Sequence, residues 1–88
     1  MIPGNSLKIA LLGKPECHLC EDTEIVVQKV CARLSLSWEK INIKDHHDLY
    51  DRYKEEIPVL LVDGRTLFKY RTNEPDLMKS LSRRLSSR

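Results

Sequence analysis

Eighty-eight residues make one domain with a modest core. Fifteen Lys and Arg against thirteen Asp and Glu leave a net charge of +2, too close to neutral to imply a nucleic-acid partner. No apolar run approaches the ~20 residues that a membrane-spanning helix needs, and Met1 to Ser6 lacks the basic-then-apolar order of a secretory signal.

The expected compartment is therefore the cytoplasm, where structural disulfides are rare. The three cysteines are an odd number, which also argues against a disulfide scaffold.

Residues 1–6 are expected to be a flexible leader, before one domain over residues 7–86. Leu7 to Leu12 is a short, mostly apolar run that stops at Gly13, the pattern of a buried strand. Gly13-Lys14-Pro15 is the loop behind it. From about His18 to Arg33 the pattern is helical. Ile25, Val26, Val27, Val30, Cys31 and Leu34 recur at spacings of three and four. Glu21, Asp22 and Glu24 near its start and Lys29 and Arg33 near its end suit the helix dipole.

Leu36 to Ile43 reads as a second strand carrying Trp38, Ile41 and Ile43, with an alternation break at Glu39-Lys40 that admits a bulge. Lys44 to Asp48 is a polar loop into a short helix bearing Leu49, Tyr50 and Tyr53. Ile57 to Val62 is a third strand. Asp63-Gly64 is a two-residue hairpin signal, and Thr66 to Tyr70 is the return strand. Thr72 or Asn73 caps a last helix that buries Leu77, Met78, Leu81 and Leu85 and frays from Ser82 onward.

The order β-α-β-α-β-β-α has two topological consequences. The first β-α-β demands a parallel pair with a right-handed crossover, and the Asp-Gly hairpin demands an antiparallel one. The expected fold is α/β: a four-stranded mixed sheet with three flanking helices.

The chemistry concentrates in Cys17-His18-Leu19-Cys20. A strand that hands a Cys-x-x-Cys pair to the start of a helix is a redox arrangement. The first helical turn has unpartnered N–H groups and a partial positive charge. A thiolate there is favoured over a thiol, which lowers the pKa of the first cysteine. Cys17 is expected just ahead of the helix with its sulfur exposed, and Cys20 one turn in, partly covered. Cys17 then attacks a disulfide, and Cys20 resolves the mixed disulfide that forms. Lys14 and His18 add positive charge that tunes the pair; Glu16, Glu21 and Asp22 oppose them.

These features together resemble the thioredoxin fold, and more closely its small glutaredoxin-like members, over Leu7 to Leu85. The resemblance rests on Cys17-His18-Leu19-Cys20 after a buried strand, on Ile57-Pro58 at the head of the third strand, and on Val62-Asp63-Gly64 before a closing helix. It implies a cis-proline at Pro58, packed beside the cysteines, and an Ile57 backbone that pairs with an extended substrate segment. Lys14 matches a lysine that many glutaredoxins hold there. Ordinary glutaredoxins carry Cys-Pro-Tyr-Cys and Thr-Val-Pro, where this chain has Cys-His-Leu-Cys and Glu56-Ile57-Pro58. They also carry a Gly-Gly pair where backbone approaches glutathione. Thr72-Asn73 stands there instead, although Asp76-Leu77 matches the Asp-Leu of that same motif.

The remaining candidates have plainer readings. Cys31 lies eleven residues beyond Cys20, about 16 Å along a helix. It therefore reads as a core thiol and not as a partner in one metal site. His46 and His47 read as a solvated loop, Trp38 as a packing residue, and Tyr50 and Tyr53 as core or edge residues of the second helix. Lys79, Arg83 and Arg84 read as a solvated helix face. No metal ligands are assigned.

The expected function is thiol–disulfide oxidoreduction through Cys17 and Cys20, with Pro58 shaping the site and Ile57 receiving substrate. No tightly bound cofactor is called for; glutathione is a candidate co-substrate. The expected partners are a protein or low-molecular-weight disulfide as substrate and a dithiol protein or glutathione as electron donor. A monomer is expected, with no nucleic acid or membrane partner. Two rival readings are a metal or iron–sulfur module bridged by Cys17 of two copies, and an inactive interaction domain of the same fold.

Overall fold

The computed structural model of the chain describes residues 7–86. The expected leader at 1–6 lies outside the described residues. The elements in chain order are β1 (Ile9–Gly13), α1 (His18–Arg33), β2 (Glu39–Asn42), a 3-10 turn (Ile43–Asp45), α2 (His47–Tyr53), β3 (Val59–Val62), β4 (Arg65–Lys69) and α3 (Glu74–Ser86). The strands form one mixed sheet in the order β2-β1-β3-β4. β1 pairs parallel with β2 and antiparallel with β3, and β3 pairs antiparallel with β4. The α/β fold expected from the sequence is the one present.

β1 is buried along its whole length, because it is a central strand covered on both faces. That explains its continuous apolar run. The period-2 alternation of a strand sorts its residues between two clusters. Ile9 and Leu11, with Leu60 and Val62 of β3, meet Val27, Val30 and Cys31 of α1 and Leu77 and Leu81 of α3. Leu12 and Val59 face the other way, toward Ile43 of the 3-10 turn and Tyr53 of α2.

Several boundaries differ from the sequence reading. β2 is only Glu39–Asn42, so Leu36 and Trp38 precede it and Ile43 comes after it. This edge strand has one pairing neighbour, so its ladder ends where β1 ends, at Gly13–Asn42. Ile43 is nonetheless fully buried, reached by the 3-10 turn that Asn42 caps through Lys44 N at 3.0 Å. The β1–β2 register is continuous across Glu39-Lys40, and the irregularity falls between Leu60 and Leu61 opposite β4. Ile25 is 52% exposed and does not belong to the buried face of α1; Thr23 does. α3 stays helical to Ser86 instead of fraying from Ser82, because Leu81 is buried and Leu85 packs on the core.

The hairpin is as tight as Asp-Gly suggests. Asp63 (φ 53) and Gly64 (φ 84) both sit at positive φ, the conformation that a primed two-residue turn requires. Asp63 also ties the turn back to the chain before β1, accepting from Lys8 N at 3.0 Å and donating to Lys8 O at 2.8 Å.

Candidate functional site: the start of the first helix

The site lies where β1 ends and α1 begins. The connecting loop needs Glu16 at φ 60, after which Cys17 is extended (φ −123, ψ 103) and serves as the N-cap of α1. Its carbonyl accepts from Glu21 N at 3.0 Å, and its Sγ accepts from Cys20 N at 3.2 Å. A sulfur thus occupies the place where Ser, Thr, Asp or Asn usually satisfies an orphan N–H. Cys17 is half-buried and Cys20, one turn in, is only 8% exposed. The two are joined at disulfide distance, with their Cα atoms 5.2 Å apart.

Two contributors escape a motif reading. Gly13 ends β1 directly against Cys20: a Cβ there would stand 3.2 Å from Cys20 Sγ and 3.3 Å from Cys20 Cβ. Its lack of a side chain lets the strand end approach the sulfur. The only sequence signal was a glycine closing an apolar strand. Thr23, 2% exposed, directs its hydroxyl to Tyr70 O at 3.5 Å, and the apolar periodicity of α1 gave no hint of it.

The neighbouring strand brings Pro58 to the same end of β1. Leu12 pairs with Val59, so one step further the antiparallel register brings Pro58 opposite Gly13. Pro58 is fully buried, and the Ile57–Pro58 bond is cis. Its carbonyl accepts from Tyr70 N at 2.7 Å. Tyr70 in turn, at φ 69, offers its carbonyl to Thr23 on α1. One short segment after β4 therefore braces Pro58 against the cysteine helix. Ile57 is half-buried, and its peptide stands outside the β3 ladder, which starts at Val59.

The charged neighbours differ in their hold on the site. Lys14 is exposed and, with Pro15 and Glu16, borders a cavity of about 80 Å³ that Cys20 also lines. The His18 side chain is 99% exposed, with Nδ1 3.9 Å from Glu21 Oε1. An imidazole so placed acts on sulfur through solvent, where charge is screened. At the far end of α1, Cys31 is 1% exposed, and burial pushes its thiol up to about 11. His46 and His47 are exposed, and His47 Nε2 lies 3.3 Å from Asp51 Oδ2. Among the described residues no three His, Cys, Asp or Glu side chains converge as metal ligands.

The start of α3 occupies the place of the double glycine. Asn73 Oδ1 accepts from Asp76 N at 2.9 Å, and Asn73 Nδ2 donates to Asp76 Oδ2 at 3.1 Å. Asn73, not Thr72, is the cap. Both polar ends of its amide are engaged, and the Asp76 carboxylate is engaged with it.

The model of the glutaredoxin-like domain (DUF836) matches residues 8–82 of this chain. The chain belongs to that glutaredoxin-like family. A glutaredoxin-like protein of Dictyostelium discoideum, a YDR286C homolog, is 23% identical over 82 residues, covering 86% of this chain and 76% of its own length. Among solved structures, protein XcR50 of X. campestris superposes with a TM-score of 0.73 at 25% identity, over 85% of this chain and 96% of that one. A mutant thioredoxin from Halobacterium salinarum gives 0.69 at 21% identity, over 92% and 76%. The glutaredoxin-like fold of this chain is thus the thioredoxin-like one. Among the described residues no helix is long and apolar enough to cross a membrane.

Proposed function

We propose that this glutaredoxin-like protein is a thiol–disulfide oxidoreductase. Cys17 is the nucleophile and Cys20 the resolving thiol. The observation that carries the reading is the N-cap position of Cys17. A half-buried sulfur there faces an orphan N–H and the positive end of a sixteen-residue helix. Both favour thiolate, the species that attacks disulfides. Cys20, buried one turn away and at disulfide distance, is placed to complete the exchange.

Pro58 keeps the rim of the site free of a backbone donor, since proline lacks one. The Ile57 peptide beside it is placed to receive an extended segment of the substrate by strand addition. Lys14 and His18 contribute a minor positive field. The substrate is a protein or low-molecular-weight disulfide, and the reaction needs no resident cofactor. Electrons return from a dithiol protein or from glutathione. The Asn73–Asp76 pair fills the region where glutaredoxins approach glutathione with glycine backbone. Glutathione is therefore expected to act as a passing reductant and not as a tightly held ligand. The working unit is a monomer in the cytoplasm.

The test is a redox titration. The purified protein is equilibrated across reduced-to-oxidised glutathione ratios, alkylated, and weighed as the intact chain. Reversible loss of two hydrogens at Cys17 and Cys20, with a midpoint between about −120 and −270 mV, supports the reading. Cysteines that stay reduced throughout overturn it.

A further inference from the structure

The net charge of +2 is not spread evenly over the surface. A groove of about 710 Å³ runs between β4 and α3, with half-buried Leu67 and Phe68 on one side and Arg71, Asp76, Lys79 and Arg83 along the other. Three cations meet one carboxylate there, a formal excess equal to that of the whole chain. The carboxylate is already engaged, since Asp76 Oδ2 accepts from Asn73 Nδ2 at 3.1 Å. Three lysines elsewhere have acidic partners: Lys29 with Glu74, Lys40 with Glu24 and Lys69 with Glu56. Among the described residues Arg71, Lys79 and Arg83 have none. Asp76, Lys79 and Arg83 recur at spacings of three and four, on a face of α3 other than the one that buries Leu77 and Leu81. β4 is the end strand of the sheet and pairs only with β3, so its outer row of backbone groups is open.

We propose that this groove docks an extended acidic segment of the protein whose disulfide is exchanged at Cys17. The proposal rests on the redox reading above and deepens it by naming the partner. Charges on an end strand ordinarily guard it against unwanted pairing, and Arg65 and Lys69 suffice for that on β4. Arg71, Lys79 and Arg83 stand off the strand, beside an apolar wall, and present guanidinium and ammonium groups that suit carboxylates. An extended chain meets all three features at once. Its backbone follows the open edge, its apolar side chains lie on Leu67 and Phe68, and its carboxylates reach the cations. An excess of two charges is small for a nucleic acid, which also has no use for a strand edge. The groove leads to the dithiol. Arg71 follows Tyr70, whose N–H donates to Pro58 O at 2.7 Å and whose carbonyl accepts from Thr23 of α1. A segment seated in the groove therefore continues onto the rim that Pro58 and Ile57 form.

The test has a binding arm and a turnover arm. For binding, the fluorescence anisotropy of a labelled, cysteine-free peptide, Glu-Val-Glu-Val-Glu, is followed against the glutamine version, Gln-Val-Gln-Val-Gln. The acidic peptide is expected to bind at least ~10-fold more tightly, the scale of three exposed ion pairs acting together. About 0.5 M sodium chloride should remove most of that difference. For turnover, each sequence is joined through Gly-Gly to a cysteine, in both chain orders, and the cysteine carries thionitrobenzoate as a mixed disulfide whose release is coloured. The reduced protein is expected to release it faster from the acidic peptide. The triple variant Arg71→Gln, Lys79→Gln, Arg83→Gln should lose the acidic preference in both arms and keep the wild-type rate on the glutamine peptide. Lys44→Gln, Arg52→Gln, Lys54→Gln removes equal charge from the 3-10 turn and the end of α2, on the other side of the sheet, and should keep the preference. Equal affinity of the wild type for both peptides overturns the proposal. So does an equal loss in both triple variants, which would reflect overall charge alone, and so does tighter binding of a labelled oligothymidylate than of the acidic peptide. Acidic binding without release from any mixed disulfide leaves the groove standing and sinks the oxidoreductase reading instead.

Discussion

The first and third helices begin in the same way and to different ends. Each leaves backbone N–H groups without helical partners, and each recruits a side chain from the residue just ahead. At α3 the recruit is Asn73, among the strongest caps, bound reciprocally to Asp76. At α1 it is Cys17, a weak hydrogen-bond acceptor whose Sγ sits 3.2 Å from Cys20 N. The α3 arrangement stabilises; in the proposed reaction the α1 arrangement turns the same donors to sulfur chemistry. On the proposed function, stability and reactivity are divided between two helix starts.

The largest effect is expected where the two roles conflict. Cys17→Ser places a better cap on α1 and removes the proposed nucleophile. Disulfide reduction is expected to fall to the uncatalysed background, while the reduced variant unfolds in urea no earlier than the reduced wild type. Activity assay and denaturation are run on the same samples. Retained turnover would mean that the α1 cap is merely a cap, and the contrast with α3 would disappear.

The far end of α1 extends the comparison. Cys31 shares the helix with Cys20, but it is core, with its thiol raised to about 11. At pH 8 its thiolate fraction is on the order of one in a thousand. In the reduced protein iodoacetamide is expected to modify Cys17 readily and Cys31 only after unfolding, as peptide mass mapping will show. The same burial makes stability depend on pH. The folded state keeps the Cys31 proton to a higher pH than the unfolded state does. Its stabilising contribution is therefore complete below the ordinary value of 9.0 and is lost as pH rises toward about 11. Cys31→Ala should flatten that alkaline loss, on the order of 2 kcal/mol, in denaturation curves taken across the interval. Equal slopes for both proteins would show that the thiol is not desolvated.

How much of this was legible beforehand depends on whether the signal was local. The Cys17–Cys20 pair, the Asp63-Gly64 turn and the buried β1 are carried by adjacent residues, and all of them are legible in the sequence. The length of β2 was not, because Leu36 and Trp38 are apolar like strand residues yet pack on the core before the ladder begins. Ile25 misled for the opposite reason. Its hydrophobicity suggested burial, but its side of α1 faces solvent, and Thr23 takes the inner position by bonding Tyr70. Gly13, Thr23 and Tyr70 matter to the site through contacts across elements, which no linear motif encodes.

Gly13 is the point at which packing meets chemistry. Gly13→Ala sets a methyl 3.2 Å from Cys20 Sγ, closer than sulfur and carbon settle comfortably. Overpacking of this kind costs about 1–3 kcal/mol. The cost is expected in both redox states, with a change in the Cys17–Cys20 midpoint potential if the two states differ in Cys20 position. Urea unfolding of oxidised and reduced samples reads the first effect, and the glutathione titration reads the second. No loss of stability in either state would mean that α1 yields freely at Cys20.

The smallest effect is the purest test of the division between the two helix starts. Asn73→Ala removes the α3 cap and leaves Asp76 N without its acceptor. The expected cost is about 1 kcal/mol, or ~4–8 °C in Tm for a domain of this size. α3 is amphipathic and anchored by Leu77 and Leu81, so it should remain docked. The Asn73→Ala protein is then expected to reduce disulfides at the wild-type rate at temperatures well below its transition. Asn73→Gly should cost less than Asn73→Ala, because glycine is itself a fair cap. It also returns to this position one of the two glycines that ordinary glutaredoxins carry. A persistent glutathione adduct on the Asn73→Gly protein, absent from wild type by intact mass, would identify the Asn73 side chain as what keeps glutathione from being held. No adduct on either protein would leave the α3 cap as a stability element alone.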